Sequence, residues 1–271
     1  MDTIYADVSE WQRPVDNSYP YPVIAIRASD GTYRDRNWPT NYPWCCRRAD
    51  EGALEFFIVY LVYRPNWAET LLTLKDMVGQ PHPKMAVMID VESWGGQIGG
   101  DHSDGINRLY WGIADWLGDR RRVIAYGNTY DLNTLWPDKP DGVPLVVAGY
   151  GQQPSYPGMV AHQYTDGQGY GGGLPEGADP FGRCDMNAAN GLSPKEFAAV
   201  CGIGTAGGNI MAALSDDEQR ELLENSRYIR DQLGPKHPEW SADSSLGQNA
   251  KGEELTLRDG IAALIRKVSG K

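Results

Sequence analysis

The chain has 271 residues and a net charge of −11, with 41% hydrophobic and 23% charged residues. That balance suits a folded protein with a substantial core, and its acidity argues against a nucleic-acid binder, which would carry a basic face. No apolar run approaches the roughly 20 residues that a membrane-spanning helix needs.

Eight strands are expected in chain order, at residues 4–9, 23–28, 56–63, 85–92, 123–127, 145–150, 159–165 and 184–188. Several are continuous apolar runs, the pattern of strands buried on both faces. Helical spacing fits residues 66–78 and residues 103–117, where Ile106, Leu109, Tyr110, Ile113 and Leu117 recur at helical intervals. A shorter helix is expected within 44–54. The last connections are short or rich in glycine. The expected fold is therefore α/β, a closed barrel that begins as β/α repeats and ends as plain β. A regular (β/α)8 barrel would take about 250 residues, whereas here the strands finish near residue 190.

Polar residues gather at the strand ends. The first strand carries Asp7, with Ser9 and Gln12 just beyond. The fourth, in MAVMIDVESW at residues 85–94, ends in Asp90 and Glu92. Strand alternation would set those two on one face, about 6.5–7 Å apart, where two acids repel unless a proton, a cation or a substrate lies between them. The fifth strand leads to Tyr126 and Asn128, the sixth to Tyr150, the seventh to Gln163 and Tyr164, and the eighth offers Asp185 and Asn187. Singly, each residue could cap a turn or pack in a core. Together they mark the mouth of a β/α barrel, where active sites form.

Cys45, Cys46, Cys184 and Cys201 show no C-x-x-C spacing, and there are four His. Free buried thiols are expected rather than a zinc site or a disulfide framework, and no metal or cofactor is expected. The 9 Trp and 15 Tyr combine flat apolar faces with polar tips, suited to sugars as well as to packing. The start, MDTIYADVSEW, has neither the basic nor the apolar region of a secretion signal.

In this order, the segments DVSEWQ (7–12), VIAIRASDGTYRD (23–35), VYLVYRP (59–65), MIDVE (88–92), VIAYGN (123–128), VAGYG (147–151), HQYTDG (162–167) and CDMNAANG (184–191) resemble glycoside hydrolase family 25, the N-acetylmuramidase type of lysozyme of bacteria and phages. The resemblance covers roughly residues 1–200. It implies an irregular TIM-like barrel of about five β/α units plus three further strands. It also implies cleavage of the β-1,4 bond between N-acetylmuramic acid and N-acetylglucosamine in peptidoglycan. By the family pattern Glu92 would be the general acid and Asp90 its partner, orienting the substrate's acetamido group or stabilising positive charge. Asp7 and Asp185 would complete an acidic floor, with Ser9, Gln12, Asp30, Tyr60, Tyr126, Tyr150, Gln163 and Tyr164 binding sugar. Glycoside cleavage itself asks for one protonated and one ionised carboxyl, which crowded acids supply without a metal. The chain departs from the family where Tyr-His-Phe becomes Tyr60-Leu61-Val62, Trp-Gln becomes His162-Gln163 and Lys-Ala-Thr-Glu-Gly becomes Arg27-Ala28-Ser29-Asp30-Gly31, so the sugar subsites are expected to differ in detail. A chitinase-like D-x-D-x-E motif is broken by Met88.

After Asn190 the composition shifts. Residues 201–213 read as a Gly-rich linker, and 214–271 as two helices. Ser215 with Glu218 forms a capping-box pattern, and Leu257, Ile261, Leu264 and Val268 form a short coiled-coil seam. This segment is expected to fold back on the barrel, to self-associate as a homo-oligomer or dock phage tail proteins, or to form a separate wall-binding module. Two functions follow. One is a phage muramidase acting on peptidoglycan glycan strands, borne in the virion tail or released as an endolysin from the host cytoplasm. The other is a virion or wall-binding protein that keeps the barrel with little catalysis.

Overall fold

The computed structural model describes residues 2–204, within the first of two compact units that span 1–207 and 208–271. The expected linker past residue 204 and the expected helices of 214–271 lie outside the described residues.

The strands are β1 (Ile4–Val8), β2 (Val23–Asp30), β3 (Tyr33–Arg34), β4 (Phe56–Val62), β5 (Met85–Asp90), β6 (Val123–Asn128), β7 (Leu145–Ala148), β8 (Met159–Thr165), β9 (Gly177–Ala178), β10 (Gly182–Arg183) and β11 (Asp185–Ala188). Hydrogen bonding runs β1-β11-β8-β7-β6-β5-β4-β2, and a β1–β2 pairing closes the ring into an eight-stranded barrel. The barrel strands are those expected from the apolar runs. Their neighbours are parallel except around β11, which is antiparallel to both β1 and β8. Among the described residues, helices follow β2, β4, β5 and β6: α1 (Trp38–Asp50), α2 (Trp67–Val78), α3 (Ser103–Leu117) and the six-residue α4 (Thr129–Thr134). The first connection, from β1 to β2, carries none.

Why these residues form these elements is visible in their burial. Strand residues alternate between two cores. One face packs outward under the helices, as with Ile24, Phe57, Val59, Leu61, Val87 and Ile89. The other fills the barrel, as with Tyr5, Val23, Phe56, Ile58, Ala86, Met88 and Ile124. Strands apolar on both sides are the necessary result. The buried stripe of α3 includes Ile106, Leu109, Tyr110, Ile113 and Leu117, and Gly118 ends the helix at a left-handed φ of 70°. Helix α1 starts at Trp38, earlier than expected, because Pro39 in the first turn favours helix rather than breaking it, and Pro43 is tolerated inside.

A fifth helix, α5 (Pro194–Val200), was not expected from the composition shift. Ser193 caps it: its Oγ accepts from the Glu196 amide while the Glu196 carboxylate accepts from the Ser193 amide, and Pro194 opens the first turn. The helix drives Phe197 into the barrel interior, with ring centroids 5.6 Å from Tyr5 and 5.2 Å from Phe56. Tyr5 lies on β1 two residues before Asp7, and Phe56 opens β4. The plug therefore closes the end of the barrel opposite the polar one.

Phe197→Ala is expected to destabilise the barrel by about 3–5 kcal/mol, the usual result of emptying a fully buried aromatic site. Chemical denaturation of the wild type and the variant measures it.

Candidate active site

Alternation carries residues from every barrel strand except β7 to the open end above that interior. The register sets Asp7 of β1 directly opposite Asp185 of β11, and Asp90 of β5 beside Tyr126 of β6. Because β11 runs antiparallel, it presents its first residue to the mouth whereas β5 presents its last. Glu92 lies beyond the end of β5, not on it as the sequence suggested. The chain there is held by the Val91 amide donating to Tyr126 O at 2.9 Å and the Ser93 amide donating to Asp131 Oδ2 at 3.1 Å. A Cβ on Gly127 would sit 2.7 Å from Val91 O, so β6 needs glycine where it passes this loop.

Asp7, Asp90, Glu92 and Asp185 all line one cavity of about 470 Å³, together with Ser9, Asp30, Tyr60, Tyr126 and Gln163. The sequence expectations that converge there thus include all four acids. Three residues do not line it. Gln12 instead accepts the Ser9 amide through Oε1 at 2.9 Å and shapes the β1–β2 turn. Tyr164 points outward from β8 into the outer core, its hydroxyl donating to Pro175 O at 2.7 Å. Tyr150 reaches the site indirectly: its hydroxyl donates to Gln163 Oε1 at 2.9 Å, and its ring stacks on Tyr170 with centroids 5.5 Å apart.

Hydrogen bonds divide the four acids. Asp7 Oδ2 accepts from Asn187 Nδ2 at 2.7 Å and from Gln163 Nε2 at 3.0 Å, while Gln163 Oε1 accepts the Tyr126 hydroxyl at 2.7 Å. Burial pushes the Asp7 carboxyl up, and these two donors pull it back toward the ionised form. Asp90 has no such help: its Oδ1 is buried without a hydrogen-bond partner. Burial, then the Glu92 and Asp7 charges, hold it well above the usual carboxylate range. Glu92 is pushed up to about 7 by burial and by the Asp131 charge, and Asp185 to about 8 by burial and by Asp7. Asp90 and Glu92 are within hydrogen-bonding reach of each other, so the pair retains a proton near neutral pH.

Around the acids lies a ring that the sequence reading passed over. Arg27 is buried and bonded to two carboxylates, Asp35 at 2.8 Å and Glu10 at 3.3 Å. Arg64 grips Asp30 through both oxygens, at 2.5 and 2.8 Å, and lies 5.6 Å from the centre of the Trp94 ring. Trp94 adopts a left-handed φ of 51°, which costs a non-glycine residue about 1–2 kcal/mol and turns the loop after Glu92 toward Arg64. Trp11 is 77% exposed and Tyr33 49%, both on the cavity wall. Their signal in the sequence was position, since Glu10 and Trp11 directly follow Ser9 and Trp94 closely follows Glu92. Among the described residues, no group of three or more His, Cys, Asp or Glu side chains is arranged to hold a metal ion. Cys45, Cys184 and Cys201 are buried free thiols, and Cys46 is partly buried.

The family departures fall unevenly. Leu61 is buried in the outer core, and His162 is buried with Nε2 2.6 Å from Gly149 O; neither lines the cavity. Val62, Arg27 and Asp30 do.

Comparison with solved structures places the fold. The barrel is similar to the CTP1L endolysin (19% identity, TM-score 0.54, covering 74% of this chain and 70% of that one). It is similar to a family 25 glycosyl hydrolase from Bacillus anthracis (15%, TM-score 0.57, 73% and 92%). It also matches the catalytic domain of endolysin ply40 from bacteriophage P40 of Listeria monocytogenes (18%, TM-score 0.54, 74% and 98%). The fold is therefore the barrel of the family 25 lysozymes and endolysins. Residues 214–271 match the family model of the Rv3766 C-terminal domain. Rv3766 of Mycobacterium tuberculosis, described as an uncharacterized protein, is 53% identical over 272 residues, covering 99% of this chain and 97% of its own. With identity that high along nearly the whole of both chains, this protein belongs to the same family as Rv3766.

Proposed function

We propose that the protein is a muramidase, hydrolysing the β-1,4 bond between N-acetylmuramic acid and N-acetylglucosamine in peptidoglycan. The observation that carries this reading is the convergence of Asp7, Asp90, Glu92 and Asp185 on one cavity, in a barrel shared with family 25 glycosidases. Glu92 serves as general acid. Its proton is retained to about pH 7, and its side chain, carried on a loop beyond the strand end, has the reach to meet a glycosidic oxygen. Asp90, on the cavity wall beside Glu92, faces an acetamide N–H of the bound sugar. Asp7, with two donors on one oxygen that favour its charged form against burial, faces the positive charge that grows at the anomeric carbon. The exposed rings of Trp11, Tyr33 and Trp94 on one part of the wall, and the Tyr150–Tyr170 stack beside Gln163, suit a chain of several sugars lying across the mouth.

The setting expected from the sequence, a virion tail or a phage lysate, is part of the proposal. It is supported by endolysins among the similar structures; the Rv3766 relative carries a bacterial name. Assaying virion fractions, lysates and host cells for the protein decides between them.

Turbidity loss of purified cell walls tests the activity. Glu92→Gln is expected to lower the rate by roughly 10²–10⁴-fold, the contribution of general acid catalysis, with the fold intact. No clearing by the wild-type protein would leave the wall-binding alternative. Trp11→Ala is expected to weaken binding to walls by about five- to tenfold, from ~1 kcal/mol of lost ring contact, read in a sedimentation assay with Glu92→Gln as the inactive background.

The pH dependence has a definite sign. A carboxyl whose folded pKa lies above its unfolded value favours the native state at low pH, and that support is lost as pH rises through the folded value. For Glu92 the window runs from about 4.5 to about 7. Wild-type hydrolysis is therefore expected to fall as pH rises through about 7. Glu92→Gln is expected to be more stable than wild type by about 1–3 kcal/mol at pH 8 and close to it at pH 4, measured by denaturant melts at both pH values.

A further inference from the structure

Asp131 lies outside the cavity wall, yet its placement is hard to explain as packing. It sits in the first turn of α4 and is 3% exposed. Its Oδ2 accepts two hydrogen bonds, from the Ser93 amide at 3.1 Å and from Asn128 Nδ2 at 2.8 Å. Its amide in turn donates to Asn128 Oδ1 at 2.8 Å, so the side chain is fixed from both sides. The other oxygen, Oδ1, is buried with no hydrogen-bond partner. A buried, unpartnered carboxylate oxygen costs free energy, and a neutral residue could cap the Ser93 amide as well.

We propose that Asp131 is a positioning residue for Glu92: it clamps the backbone immediately after Glu92 and keeps a fixed negative charge next to that carboxyl. The inference rests on the muramidase reading and adds to it a device that governs when the acid is loaded. The groups facing Glu92 come from several elements: Asp90 at the end of β5, Asp131 on α4, Asp7 on β1, Asp185 on β11, and the Tyr126 and Tyr150 hydroxyls. Of the charged groups that bear on Glu92, Asp131 contributes most after burial, and no cation is among them. Asp90 can share its proton with Glu92 and is no steady source of field. Asp131 is held in one place by two donors on Oδ2. Gly127 passes the same loop so closely on the β6 side that even a Cβ there would meet Val91 O at 2.7 Å.

The test is the titration of the Glu92 carboxyl, followed by carbon NMR on the full chain, in the wild type, Asp131→Asn and Asp131→Ser. In Asp131→Asn the amide oxygen can still accept from Ser93, and the charge is gone. The midpoint is expected to fall by at least about one pH unit from the wild-type value, and the alkaline limb of the wall-clearing profile to move down with it. Asp166→Asn, which removes an acid bearing on Asp185, is expected to leave the Glu92 midpoint in place. An unmoved midpoint in a folded Asp131 variant overturns the proposal. So does failure of both Asp131 variants to fold, which would make the residue a part of the scaffold only. If the wild type clears no walls, the muramidase reading fails, while the Glu92 midpoint still reports on Asp131.

Discussion

Crowding of carboxyl groups in a partly dry pocket is the constraint on which this molecule turns. Four acids from four separate stretches of chain meet where the barrel opens, and each raises the energy of its neighbours' charge. Such an arrangement survives only if the scaffold beneath it cannot relax. The closed ring of strands supplies that rigidity, because the β1 seam is bonded on both sides, to β2 and to β11. Below the acids the interior is filled from Met88 and Ile58 down to Phe197, so Asp7, held by Asn187 and Gln163, has nowhere to retreat.

The outer ring keeps the inner one acidic. Two arginines reach the cavity, and a free guanidinium there would lower every carboxyl it met. Arg27 is instead committed to Asp35 and Glu10, and Arg64 to Asp30. Such pairs add little net stability, but they commit each guanidinium to a carboxylate outside the central four, with Arg64 still close enough to feel the Asp90 charge. The neutral amides of Asn187 and Gln163 both donate to Asp7. The two donors favour the charged form of Asp7 against its burial, while the Asp90–Glu92 pair, lacking them, retains a proton.

Much of this was legible in the primary chain, and the misses have physical causes. Strands buried on both faces announce themselves as apolar runs, and their polar ends named the four acids. Alternation then rules on the neighbours: Gln163 and Tyr164 are adjacent on β8, so they face opposite sides, and only one can meet the cavity. The same rule turns Leu61 and His162 away from it, which removes two family departures from the sugar-facing wall. The reversal of β11 leaves no local trace, since four residues read the same in either direction. Glu92 looked like a strand residue because a two-residue offset cannot tell a strand end from the loop beyond it. Helix α5 was hidden by a glycine-rich neighbourhood, although Ser193, Pro194 and Glu196 spelled its start. Arg64 was missed, and Arg27 was noticed only as a departure from the family, because an ion pair across distant segments has no sequence signature.

The proposed chemistry is narrowed further by the closeness of Asp90 to Glu92. Retaining glycosidases that form a covalent intermediate set their two carboxyls about 5–5.5 Å apart, and inverting ones about 6.5–9.5 Å apart, with the sugar between. Two carboxyls within hydrogen-bonding reach of each other lie on one side of the bond to be cut and cannot flank it. Asp90 is thus poorly placed to attack from the opposite face, and its raised proton affinity makes it a weak nucleophile as well. What its carboxyl, on the cavity wall, can do is take the acetamide N–H and aim the acetamide carbonyl at the anomeric carbon. On the muramidase reading Asp90 then orients the substrate rather than attacking it, and the protein contributes the acid at Glu92 and the Asp7 carboxyl facing the developing charge.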